Sequence, residues 1–210
     1  MISKKLFAFI SALMLLCFSS AHADETKARD FVTQSGYELI TALGTHDLQE
    51  KYQALDNLFE TKTDTFYIAK FVLGPYYTQL DAEQKEQYHQ LFLRYIKSLY
   101  KTYPLNFDTS SIDFSIGEVI QKGKFYDVKC LVDLPEKFQT EDLKQVGVDF
   151  RLHETDDGIK LIDFKLDGVS MLLTFRTKFV QMIKNDEEEI SWFLEDLEDL
   201  TVSNEMQIRQ

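Results

Sequence analysis

The residue types that could carry chemistry are few, and their spacing is unhelpful to it. Beyond residue 23 the chain has three histidines, His46, His89 and His153. His153-Glu154 opens like the helical zinc motif, which needs a second histidine four positions on, but Asp157 stands there. Ser170 follows Gly168-Val169, yet Leu172 occupies the place of the closing glycine of a nucleophile elbow. Ser170 therefore reads as a small polar residue at a strand-to-helix junction. Cys130 alternates with polar neighbours on the apolar side of a strand pattern, which suits a buried, inert thiol. There is no glycine-rich loop of the kind that cradles phosphate. An enzyme would want a lone carboxylate or histidine in a cavity, and no acid stands alone on an apolar face.

Large apolar side chains are in surplus instead. Phe71-Val72-Leu73-Gly74-Pro75-Tyr76-Tyr77 is almost continuously apolar and is broken only by a turn, and Val169-Ser170-Met171-Leu172-Leu173 is similar. Two readings are open. The residues are ordinary core, or they join one sheet face in lining a cavity for an apolar ligand. The second reading makes Phe71, Leu73, Tyr76 and Tyr77 lining residues from the turn. Val128, Cys130, Val148, Phe150, Ile162 and Phe164 would line it from the sheet, and Val169 and Met171 from the junction.

The elements that must hold these residues change character near residue 105. Before it, apolar residues recur at helical spacing: Ala28, Phe31, Val32, Leu39, Ile40 and Leu43, then Leu48, Tyr52, Leu55 and Phe59. Asp47, Asp64 and Asp81 stand where helices would be capped, Asp47 and Asp81 with an acid or amide three residues on. Gly74-Pro75 is a helix stop. The pattern from Tyr88 through Leu91, Phe92, Tyr95 and Leu99 to Tyr103 predicts the clearest helix, ended by Pro104.

After Pro104 the period becomes two. Four strands are predicted around Ile112–Ile116, Tyr126–Leu134, Val146–Leu152 and Ile162–Leu166. One apolar face and one polar face imply an antiparallel sheet covered on one side. Tyr126, Val128, Cys130, Val148, Phe150, Ile162 and Phe164 should share the covered face. Lys122-Gly123 and Asp156-Asp157-Gly158 are turn signals. Helical spacing returns after Ser170, and residues 201–210 look frayed. The expectation is an α+β fold, with a four-stranded antiparallel sheet covered on one face by N- and C-terminal helices.

Composition bounds the partners. The 210 residues carry a formal net charge of −12, unsuited to nucleic acid or to firm adhesion on anionic lipid surfaces. Residues 1–23 read as a secretory signal: Lys4 and Lys5, an apolar run from Leu6 to Phe18, then Ala21-His22-Ala23 as a small-x-small cleavage site. That run is shorter than the roughly 20 residues a spanning helix needs. Cleavage after Ala23 would leave Cys130 as the sole cysteine, so no intramolecular disulfide could form. Residues 24–200 then form one domain.

Several segments, taken in order, resemble a family. Phe71-Val72-Leu73-Gly74-Pro75-Tyr76-Tyr77 is similar to the Leu-Gly-x-aromatic motif of the MlaC-type periplasmic phospholipid-binding proteins, the toluene-tolerance family. Leu80-Asp81-Ala82-Glu83-Gln84 and the Phe92, Leu99, Tyr100 helix fit its next segment. Asp163, Asp167-Gly168-Val169-Ser170-Met171 and Phe175-Arg176-Thr177-Lys178-Phe179 resemble its Asp…Gly-Val-Ser…Arg-x-x-Phe signature. The match runs from about Phe31 to Leu200. The resemblance implies a fold related to the cystatin and nuclear-transport-factor type, an acyl-chain cavity, no catalysis and no cofactor. It also implies a periplasmic carrier between an outer-membrane lipoprotein–porin complex and the lipid-binding subunit of an inner-membrane ABC transporter. An enzyme on a related fold and a structural envelope protein are the alternatives.

Overall fold

The computed structural model describes residues 3–103, 105 and 108–208, with side chains described from residue 24 onward, Lys137 excepted. The side chains of the expected signal segment, and Pro104, lie outside the described residues. Helix α1 (Ser3–Gly44) is followed by α2 (Leu48–Lys62), α3 (Thr65–Leu73), a 3-10 turn (Gly74–Gln79) and α4 (Ala82–Lys101). Strands β1 (Phe114–Lys122), β2 (Phe125–Asp133), β3 (Gln145–Thr155), β4 (Gly158–Leu166) and β5 (Val169–Ser170) come next, then α5 (Met171–Asn185) and α6 (Ile190–Ile208).

The helix starts are built from the aspartates that the spacing singled out. Asp47 accepts from Glu50 N, Asp64 from Tyr67 N and Asp81 from Gln84 N, and only at Asp81 does the return bond from the N3 side chain complete the box. Each cap satisfies a backbone N–H that the first helical turn leaves without a partner. Gly74 ends α3 at φ 62°, a conformation that favours glycine.

The sheet is antiparallel in the order β1-β2-β3-β4-β5. Five strands stand where four were expected, and Ile112 falls before the first of them. The fifth arises because Asp167 (φ 48°) and Gly168 (φ 81°) form a two-residue turn between Leu166 and Val169. Positive φ at both central positions is the turn geometry that suits a two-residue hairpin, and Asp-Gly is a strong signal for it. Paired residues stand side by side on one face: Tyr126 with Leu152, Val128 with Phe150 and Phe164, Cys130 with Val148 and Leu166. Between Arg151 and Leu152 the register slips, so Ile162 bulges between the paired Asp163 and Leu161.

Two cores result. In one, Ala28 and Val32 of α1 pack on Tyr126, Val128, Cys130 and Leu152. Arg29 also donates to the carbonyls of Ile116 and Gly117 at 3.0 and 2.9 Å, tying α1 to the β1 edge. The other core is helical, formed by α3, α4, α5, α6 and the 3-10 turn around Tyr88, Phe92, Phe179 and Phe193. The C-terminal tail expected to fray instead continues α6 to Ile208, because Thr201 is wholly buried and Arg94 of α4 holds Glu205. Among the described residues, no helix is long and apolar enough to cross a membrane.

Candidate functional site

Between the two cores lies an apolar cleft of about 510 Å³. Its walls come from six elements. Leu39 and Leu43 of α1 and Leu55, Leu58 and Phe59 of α2 form one side. Ile68 of α3 and Phe92, Ile96 and Leu99 of α4 form a second. Ile162 and Phe164 of β4 with Met171, Leu172 and Phe175 of α5 close it. Amphipathic helices put these residues here because each turns its apolar stripe inward.

Polar lining groups are engaged. Asp163 Oδ2 accepts from Ser170 Oγ at 2.6 Å and Oδ1 from Leu172 N at 2.9 Å. A buried carboxylate is thus held by the N-terminus of α5, where its charge is favourable. Tyr100 donates to Asp56, and burial, with that carboxylate beside it, pushes its phenol well above the ordinary value. Thr63 donates to the Phe59 carbonyl. Lys62 is the one cation among the described lining residues.

No histidine or cysteine is among the described lining residues. His153 Nδ1 lies 3.0 Å from Asp64 Oδ2 and its ring stacks on Phe125, so it joins the sheet to the start of α3. His89 is buried behind Phe66, stacked at 3.7 Å. Cys130 is buried, and that burial, with Asp149 nearby, pushes its thiol up to about 11. Among the described residues no group of three or more His, Cys, Asp or Glu could hold a metal ion. A larger trough of about 1360 Å³ between α2, α4 and α6 is polar. Its cations are committed: Arg94 to Glu198 and Glu205, Lys97 to Glu60, Lys101 to Asp56.

The MlaC protein family matches this sequence over residues 38–199. The chain belongs to the MlaC family. A solved structure similar to it is the phospholipid-binding protein from Ralstonia solanacearum in complex with a phospholipid. It superposes with a TM-score of 0.71 at 15% identity, covering 85% of this chain and 98% of that one, so it shares the fold. No curated protein matches the sequence.

The segments that carried the MlaC resemblance have structural work to do. Arg176 donates to the Phe71 carbonyl at 3.2 Å and covers the Phe71 ring at 4.8 Å, where Gly74 leaves room for it. Asp163 and Ser170 join β4 to α5.

Of the residues expected to line a cavity, the cleft gathers Ile162, Phe164 and Met171. Leu73 and Tyr76 are buried in the helical core, with Phe71 and Tyr77 packed against it. Val128 and Cys130 are buried under α1 with Phe150 against them, and Val148 is paired beside Cys130. Val169, expected to face inward, is 57% exposed. The Asp167-Gly168 turn reverses the chain, so Val169 lies outside and the alternation sends Ser170 inward to Asp163. Phe164 also differs from the covered-face expectation: it lines the open cleft and is 40% exposed. Helical spacing marks Leu39, Leu43, Leu55, Phe59 and Leu99 as helix faces, but nothing in the sequence separates a stripe that faces a void from one that faces a core.

Proposed function

We propose that this chain is a phospholipid carrier that holds acyl chains in the cleft between its two cores. The apolar cleft of about 510 Å³ carries the reading, since it falls within the roughly 300–1,000 Å³ of ordinary ligand sites. Exposing an acyl methylene to water costs roughly 0.8 kcal/mol, so a lipid with about 30 of them meets a barrier on the order of 20 kcal/mol when it crosses water alone. An enclosing apolar wall removes most of that barrier. Family membership and a phospholipid-binding protein of the same fold support this use of the cleft.

The finer reading places the carrier in the periplasm, after removal of residues 1–23. There it moves lipid between an outer-membrane lipoprotein–porin complex and the lipid-binding subunit of an inner-membrane ABC transporter. The full chain carries a net charge of −12, and loss of Lys4 and Lys5 makes it −14, so it is poorly suited to settle on anionic lipid, which favours docking through protein partners. An enzyme reading gains nothing from the described lining, whose one carboxylate is already tied to Ser170 and Leu172.

The test is transfer of a fluorescent phospholipid from donor to acceptor vesicles. The carrier reading expects a rate that rises in proportion to protein concentration. Transfer no faster than in its absence would contradict it.

A further inference from the structure

Lys62 is the one cation among the described residues of a largely apolar wall. It is the last residue of α2. Its ammonium forms a forked contact with Glu38 of α1, at 3.1 Å to Oε1 and 2.9 Å to Oε2. Both side chains keep access to solvent, at 25% for Lys62 and 36% for Glu38. Glu38 immediately precedes Leu39, which lines the cleft and is 44% exposed. The lysine stem therefore lies along the wall while its charge ends where the wall meets water. A second ammonium reaches the same end of α2, where Lys160 donates to the Thr61 carbonyl at 2.6 Å. In a chain of net charge −12, two ammonium groups thus stand at the end of α2 beside the cleft, that of Lys62 paired with Glu38.

Resting on the carrier reading, we propose that Lys62 receives the phosphate of the bound lipid, and that the Glu38 carboxylate holds the ammonium where that phosphate would take it. The chemistry is that of a phosphate ester anion anchored by acyl chains. A two-oxygen carboxylate and a phosphate diester present similar acceptors to one ammonium, so the exchange keeps the lysine paired. Glu38 is held below the usual carboxylate range chiefly by its bond to Lys62, so it remains a charged partner at neutral pH. The acyl tails would then extend from this end toward Leu58, Leu99 and Phe175.

The experiment loads the protein, produced from the full-length chain, with dioleoylphosphatidylglycerol or with dioleoylglycerol, which has the same tails and no phosphate. Wild type should retain the phospholipid preferentially, and the preference should weaken with salt. Lys62→Met keeps a long apolar stem; it should reduce that preference, read as the ratio of phospholipid to dioleoylglycerol retained, roughly three- to tenfold. Glu38→Gln, which frees the ammonium, should raise the preference, and it decides the matter alone if Lys62→Met does not fold. An unchanged ratio in the folded variants overturns the proposal and leaves the carrier reading standing. Wild type that takes up neither lipid overturns both. A thermal shift with inorganic phosphate equal to that with phospholipid would assign Lys62 to free phosphate and overturn its assignment to lipid.

Discussion

Ser170 Oγ donates a 2.6 Å hydrogen bond to Asp163 Oδ2 and accepts one from Leu173 N at 3.1 Å, so a single hydroxyl caps α5 and fastens it to β4. Ile162 and Phe164 flank the aspartate, and Met171 and Leu172 follow the serine, so this contact sets one wall of the cleft. Ser170→Ala should cost about 1 kcal/mol, as for a lost N-cap. Asp163→Ala should cost about 2–3 kcal/mol, because it strands two buried donors. Urea unfolding of both singles and the double should show costs that fail to add, since the two side chains act as one unit. Strict additivity would refute the coupling.

The cleft should be open to filling. Leu99 is half-buried and faces the void, so Leu99→Trp should cost below about 1 kcal/mol while lowering lipid retention severalfold. Val169→Glu is the matching control. At 57% exposure it should change stability by less than about 0.5 kcal/mol and leave retention unchanged. Retention measured beside thermal unfolding checks both, and loss of lipid in Val169→Glu would contradict the placement of that residue.

Why Val169 misleads and Asp81 does not is a matter of range. Asp81 and Gln84 satisfy each other within one turn, so their spacing alone dictates the cap. The alternating strands were legible for the same reason, and so were the turns at Gly123 and Gly158, each with positive φ. Val169 depends on a two-residue reversal that re-pairs it with Leu166, and Asp167-Gly168 was a signal that could have been read as a hairpin. The cleft is harder still. Leu39, Leu58, Leu99 and Phe175 are far apart in sequence, and whether they meet or leave space depends on how two cores sit against each other.

Gly74 should resist substitution. Its φ is 62°, and an added Cβ would stand 2.9 Å from Arg176 Nη2. Gly74→Ala should therefore cost about 1–2 kcal/mol. Gly147→Ala in β3, where an added Cβ meets nothing within 4 Å and φ is not positive, should stay within about 0.5 kcal/mol. Equal costs in chemical denaturation would remove the special role of Gly74.

His89 should make the fold sensitive to mild acid. Its Nδ1 is buried without a hydrogen-bond partner among the described residues, Nε2 faces Thr65, and Phe66 covers the ring. Burial pulls its pKa below the ordinary 6.5, with Glu86 opposing. Above about pH 6.5 the imidazole is neutral in both states. Below it the unfolded chain takes up a proton that the folded chain refuses, so stability falls as pH drops from 6.5 toward the lowered value. Between about pH 7.5 and about pH 5.5, wild type should lose more stability than His89→Gln. Identical losses would refute a buried, neutral His89.

A carrier must hold phospholipid in the cleft between the two cores. Mass spectrometry of an organic extract of the protein, purified from cells without added lipid, reads it directly. Phospholipid should be recovered in near-stoichiometric amount from wild type and in severalfold lower amount from Leu99→Trp. A folded wild-type protein that yields no phospholipid, or the same amount as Leu99→Trp, would contradict the carrier reading.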